Sequence, residues 1–131
     1  MRLFVDIDST LVLWELNCSP RDNELFDFDE NSQSDNPYNE KWKPHTKLIS
    51  QIKKFRQENP NALIVIWSLG GKQYAEIWGR RLLSDITDLV FMDKWGFNLE
   101  LVQSDSIVID DSPSDLPRIL APVIHPFKWE F

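Results

Sequence analysis

Apolar residues occur along this chain in short blocks, and the spacing within each block differs. The first block, Leu3, Phe4, Val5 and Ile7, reads as a strand buried on both faces in a parallel sheet. Leu11 to Leu16 is apolar enough for a strand or one arm of a hairpin. From about His45 to Glu58, Leu48, Ile49, Ile52 and Phe55 recur at helical spacing, with Lys47, Gln51, Lys53 and Lys54 on the other faces. Asn59-Pro60-Asn61 ends that helix. Ala62 to Trp67 is a continuous apolar run suited to a central strand. A turn over Ser68 to Gly71 follows, then a second helix over Lys72 to Leu83. Asp88 to Met92 and Ser106 to Asp110 predict two more strands, with a short turn or edge segment over Asn98 to Val102 between them. Ser114 to Leu120 predicts a short helix with Pro117 in its first turn, and Ala121 to Ile124 a last strand shortened by Pro122.

Strands alternating with helices, and apolar on both faces, predict one three-layer α/β domain over residues 1–131. It is Rossmann-like, with a mostly parallel sheet of about five strands. One stretch breaks the pattern. Residues 17–43 are rich in Asp, Glu, Asn, Ser and Pro, which predicts an acidic loop or flap, and a loop of that length suggests function. Phe26, Phe28, Tyr38 and Trp42 either pin it to the domain or stack on a substrate ring. Trp67 and Trp78 are assigned to the core, and Trp95, beside Lys94, is a candidate for shaping a pocket.

Composition narrows the function. The chain has 131 residues, 42% of them hydrophobic, 27% charged, and a net charge of -7. No basic stripe exists to neutralise phosphates, so long nucleic acids and anionic membranes are poor partners. A small phosphorylated substrate stays open, because a local metal can outweigh the global field. Cys18 is alone, so no internal disulfide and no cysteine-rich zinc site is expected. With a strand expected from residue 2, no secretory leader is expected. With no apolar run of about eighteen residues, no membrane span is expected either. A cytoplasmic protein follows as the expectation.

The polar residues that matter fall at the carboxyl ends of the predicted strands. Asp6 and Asp8 close the first, Ser68 the second, and Asp110 with Asp111 the one over Ser106–Asp110. Parallel sheets bind their ligands at that end. Residues i and i+2 of a strand share a face, so Asp6 and Asp8 can converge on one spot. Several carboxylates in one place resist ionising together unless a cation sits among them. Oxygen donors without His or Cys favour magnesium, which suits phosphoryl transfer. In that chemistry Asp6 attacks phosphorus and Asp8 acts as general acid and base, while Ser68 and a lysine hold phosphoryl oxygens.

These residues resemble the haloacid dehalogenase (HAD) superfamily of aspartate-nucleophile phosphatases over residues 2 to about 125. The family's first motif, Asp-x-Asp-x-Thr-Leu, matches Asp6-Ile-Asp-Ser-Thr-Leu11 in full. Ser68, closing an apolar strand, is similar to the second motif, and Asp110-Asp111 before Ser112-Pro113 to the fourth. Lys94 fits the family's order for the third, with Lys72 as competitor. The resemblance implies a magnesium site built from Asp6, the Asp8 backbone carbonyl and one or both of Asp110 and Asp111. One of that pair then orients the lysine or a metal-bound water. It also implies substrate contacts from Thr10, Ser68, Leu69, Gly70 and Lys94. Residues 17–43 are too short for the family's larger caps, so the expectation is an open site in a cap-poor phosphatase. Its substrate would be a small phosphomonoester or a phosphoprotein.

Other readings differ in kind. A phosphotransferase would pass the group to an acceptor other than water, and a regulatory binder would keep the fold without turnover. A response-regulator receiver has its acidic pair on the first strand and its phosphorylated Asp later, the opposite order. Gly70-Gly71-Lys72 is no P-loop, because Gln73 replaces the hydroxyl residue and Ile66 the first glycine. Those glycines are expected to form a tight turn with N–H groups facing phosphate. His45 and His125 are assigned capping or surface roles, and Arg80 and Arg81 surface salt bridges.

Overall fold

The computed structural model describes residues 1–14 and 42–131. Strand β1 spans Arg2–Val5, β2 Val12–Trp14, β3 Trp42–Pro44, β4 Leu63–Ser68, β5 Val90–Asp93, β6 Ile107–Ile109 and β7 Val123–Ile124. Helix α1 spans Thr46–Glu58 and α2 Lys72–Leu82. Five strands form one sheet in the order β5-β4-β1-β6-β7, every neighbouring pair parallel. β2 and β3 make a separate antiparallel pair, with Trp14 opposite Trp42. The α/β class and the largely parallel five-stranded sheet expected from the sequence are therefore present. The expected flap falls mostly outside the described residues, as do Cys18, Phe26, Phe28 and Tyr38; only Trp42 and Lys43 of it are described, in β3.

The strands alternate between two cores. Leu3, Val5, Ile64, Ile66, Phe91 and Ile109 join one cluster; Phe4, Val65, Trp67 and Val108 join the other. Both helices cover the first face, through Leu48, Ile52 and Phe55 of α1 and Ala75 and Trp78 of α2. Connection handedness explains this. The chain steps from β1 to β4 to β5 in one direction, then crosses β1 and proceeds through β6 to β7 in the other. Right-handed crossovers put the first two connections on one face and the later ones on the opposite face. The second face is covered by a 3-10 helix at Gly96–Leu101 and by irregular chain carrying Leu116, Ile119 and Ala121.

The α-helix expected over Ser114–Leu120 is absent; a 3-10 turn at Pro113–Asp115 stands there. Pro117 disfavours the α conformation at Leu116, and Arg118 adopts φ of 62° in the left-handed region, so the helix cannot propagate. His45 also departs from its surface assignment. It takes the position before the first turn of α1 without capping it by its side chain, and is fully buried. Its Nδ1 lies 3.0 Å from the Thr10 carbonyl and its ring stacks on Phe127. Trp67 and Trp78 are core residues, as expected. Trp42 packs edge-on against Trp78, and Trp14 meets the same ring, so the β2–β3 pair is fastened to α2.

Candidate active site

The carboxyl ends of β1, β4, β5 and β6 carry Asp6, Ser68, Lys94 and Asp110-Asp111 at the strand terminus or within two residues past it. β1 is where the chain's direction across the sheet reverses, the place where open α/β sheets bind ligands.

β1 ends at Val5, one residue before the first carboxylate, although the Asp6 N–H still reaches the Ile109 carbonyl at 3.1 Å. The chain then curls instead of staying extended. The Ile7 carbonyl accepts N–H groups from Thr10, Leu11 and Val12, and Ser9 takes φ of 59°. The curl turns Thr10 back under the site, fully buried, with its hydroxyl donating to Asp6 Oδ2 at 3.1 Å and lying 3.4 Å from Asp111 Oδ1.

Lys94 is the hub. Its Nζ is 3.0 Å from Asp6 Oδ1, 2.9 Å from Asp110 Oδ2 and 3.5 Å from Asp115 Oδ2, and the residue is only 2% exposed. Its backbone N–H pairs with the Ser68 carbonyl at 2.9 Å, which fixes the base of the side chain to the end of β4. Lys72 is exposed, and its contribution here is a backbone N–H to Asp93 Oδ1. Asp110 is fully buried against Lys94 and accepts the Ser112 N–H, while its neighbour Asp111 faces the pocket. Adjacent positions thus divide the labour: one holds the lysine and the other faces the opening.

Electrostatics follow from one ammonium shared by two buried carboxylates. Burial pushes the Asp6 carboxyl well above its ordinary range, and the charge of Asp110 adds to this, while the charge and hydrogen bond of Lys94 act against it. Burial likewise raises Asp110, against Lys94 and the Ser112 N–H, which lower it. Burial pulls the Lys94 ammonium down, but Asp6 and Asp110 together outweigh it and hold the lysine above its ordinary value. The cluster is short of positive charge.

Carboxylate oxygens of Asp6, Asp110 and Asp111 lie within 4.8 Å of one another. An all-oxygen set on a charge-deficient cluster fits a hard divalent cation such as magnesium. The Asp8 side chain stands outside that group. Its Oδ1 accepts the Tyr74 hydroxyl at 2.6 Å and Trp14 Nε1 at 2.9 Å.

Asp6 and Asp8 both line an open pocket of about 330 Å3 with Ser9, Ser68, Leu69, Lys94, Asp111, Ser112 and Asp115. Of the expected substrate contacts, Ser68, Leu69 and Lys94 face this pocket. Thr10 and Gly70 are not among its lining residues. The N–H groups expected to face phosphate are used within the turn: that of Gly70 goes to Ser68 Oγ and that of Gly71 to the Ser68 carbonyl. Trp95 is exposed and absent from the lining. Arg80 forms the expected surface pair with Glu76, whereas Arg81 lies over Trp42 and Trp78. Asp115, Tyr74 and Trp14 were not assigned to the site from the sequence, and Ser9 and Ser112 entered only as members of the first and fourth motifs.

No family of known proteins, no curated protein and no solved structure matches this chain. Among the described residues, no helix is long and apolar enough to cross a membrane.

Proposed function

We infer that this chain is a magnesium-dependent phosphatase that hydrolyses a phosphomonoester through a phosphorylated Asp6, as its resemblance to the HAD superfamily implies. The observation that carries the reading is Lys94 held within 3.0 Å of both Asp6 and Asp110, with Asp111 and Ser68 beside them at one open pocket. A structural salt bridge needs neither the pocket nor the surplus of carboxylates.

Asp6, Asp110 and Asp111 would hold the metal, with the Asp8 backbone carbonyl as the resemblance implies. When bound, magnesium supplies the positive charge that offsets repulsion between Asp6 and an anionic ester. The chain's own groups do the rest. Thr10 and Lys94 hold the two oxygens of Asp6 and so fix the carboxylate plane for attack on phosphorus. Gly70 donates its N–H to Ser68 Oγ, which leaves the Ser68 hydroxyl proton free to donate to a phosphoryl oxygen. Lys94 brings positive charge to the same group. Asp8 protonates the departing oxygen, then takes a proton from the water that releases phosphate from Asp6. Water is taken as the acceptor, with a phosphotransferase differing only in passing the group elsewhere. Small phosphomonoesters and phosphoproteins both fit an open site.

The test is hydrolysis of p-nitrophenyl phosphate by the purified chain with and without magnesium. Activity is expected only with the metal, and Asp6→Asn should lower kcat by about 10³-fold or more. Metal-independent turnover, or turnover that survives Asp6→Asn, would overturn the reading.

A further inference from the structure

Asp8 differs from the other carboxylates of the pocket in its partners. Among the described residues it forms no ion pair, although Lys94 lines the same pocket. Two neutral donors from separate elements, Tyr74 on α2 and Trp14 on β2, converge on the same oxygen, Oδ1. Oδ2 accepts no hydrogen bond from the described residues. The two donors are themselves held in place. Trp14 is 1% exposed and meets Trp78 of α2 edge-on at 5.9 Å between ring centroids. The Tyr74 ring lies over Gly70, where an added Cβ would come 3.1 Å from Cδ2 and 3.2 Å from Cγ. The turn after β4 lacks a side chain where this ring crosses it.

We propose that Tyr74 and Trp14 are positioning residues that clamp Asp8 by Oδ1, leaving Oδ2 as the atom that transfers the proton in the reaction of the pocket. The proposal rests on the phosphatase reading above. In the first half-reaction an Asp6 oxygen bonds to phosphorus while the phosphorus–ester oxygen bond breaks. The electron pair goes to the departing oxygen, which takes the proton from Oδ2. Negative charge then appears on Asp8, and the two donors at Oδ1 stabilise it without competing for Oδ2. In the second half-reaction Oδ2 takes a proton from water as the water oxygen bonds to phosphorus, and the Asp6 carboxylate is released. The clamp also fixes the carboxylate plane, which a side chain beside an open pocket would not otherwise keep.

Tyr74→Phe removes one donor and keeps the ring, and so is preferred to variants of the buried Trp14. Its folding is checked by thermal melting. The reaction is followed with a series of aryl phosphates, from 2,4-dinitrophenyl, whose leaving oxygen needs no proton, to phenyl, whose leaving oxygen does. With phenyl phosphate Tyr74→Phe should lower kcat/KM, which reports transfer to Asp6 and not the later hydrolysis common to every ester, by about 10-fold to 100-fold, the range of one hydrogen bond to a charged group. With 2,4-dinitrophenyl phosphate the loss should stay below about 3-fold. In an Asp8→Asn background the same change should add almost nothing, because the group it positions is gone. An equal loss across the series, or a full additional loss on top of Asp8→Asn, overturns the clamp and leaves the phosphatase standing. A wild-type protein inactive on every ester overturns both.

Discussion

Removing the positive member and the negative member of the same ion pair should change stability in opposite directions. Asp6 and Lys94 are 3.0 Å apart and both nearly inaccessible, at 4% and 2% exposure, so solvent screens neither. Lys94 is also the ammonium that Asp110 and Asp115 share. Lys94→Met therefore leaves two buried carboxylates facing each other with Asp111 beside them. Breaking a buried pair so that charge is left uncompensated costs about 3–5 kcal/mol. For a chain of this length that lowers Tm by roughly 10–20 °C.

Asp6→Asn does the reverse. Burial and Asp110 already make the Asp6 charge unfavourable, so a neutral amide of the same shape removes a strain, and Lys94 keeps Asp110 and Asp115. The metal-free variant should melt at or above the wild-type temperature while losing its activity, as expected where function holds charge against stability. Thermal melts at neutral pH in a chelating buffer measure both. A Lys94→Met protein melting within about 2 °C of wild type, or an Asp6→Asn protein destabilised as much as Lys94→Met, would show that the cluster is not short of positive charge.

Added magnesium should stabilise the protein by about 2.7 kcal/mol at a hundred times its dissociation constant, roughly 10 °C in Tm, and Asp111→Asn should remove most of that shift. The shift should grow with pH. Asp6 and Asp110 have carboxyls raised by folding, so the folded state binds their protons more tightly than the unfolded chain does. Their contribution is full below the ordinary carboxylate range and is lost as pH rises through the folded values, and a bound cation opposes that loss; a shift equal at pH 5 and pH 8 would refute it. Gly79→Ala should lower Tm, because a Cβ there would sit 2.4 Å from Phe91 Cε1 of β5. Overpacking costs about 1–3 kcal/mol, which exceeds the gain of about 1 kcal/mol from replacing a helical glycine, and an unchanged or higher Tm would show that the ring can give way. Ser9→Val should cost about 1–2 kcal/mol, since a β-branched residue is poorly tolerated at φ of 59°, whereas Ser9→Gly should melt close to wild type; equal melting of the two would remove the turn from the argument.

The parts of this site legible in the sequence were those written as breaks in hydrophobic runs. Ser68 after Leu63–Trp67, and Asp110 after Ile107–Ile109, stand out because a strand covered on both faces tolerates polar residues only at its ends. The fate of Asp8 was not legible in that way. In an extended strand Asp6 and Asp8 would share a face, and both do reach the pocket. The route is a turn whose three N–H groups close on the Ile7 carbonyl, and no side-chain pattern announces that. The Ser114–Leu120 segment looked helical by composition, but Pro117 and the left-handed Arg118 end it as a 3-10 turn. His45 looked like a surface cap because polarity says nothing of a buried acceptor for its ring, which the Thr10 carbonyl provides. Tyr74 sits at helical spacing among core and surface residues alike, and it is tertiary packing that brings its hydroxyl to Asp8 in the turn after β1.

The curl after β1 has a further consequence for how two carboxylates two residues apart acquire different chemistry. Kept extended, the chain would carry Asp8 about 6.5 Å beyond Asp6 on the same face. The curl instead turns it toward β2 and α2, where Trp14 and Tyr74 take one of its oxygens. Asp6 stays with Thr10 and Lys94 in the buried cluster. In the proposed reaction the nucleophile stands beside positive charge and the proton donor apart from it. Neutral hydroxyl and indole donors orient Asp8 without placing a formal charge beside it. The short turn over Ile7–Val12 thereby separates the surroundings of the two carboxylates, and the sheet supplies the positions of the strand ends.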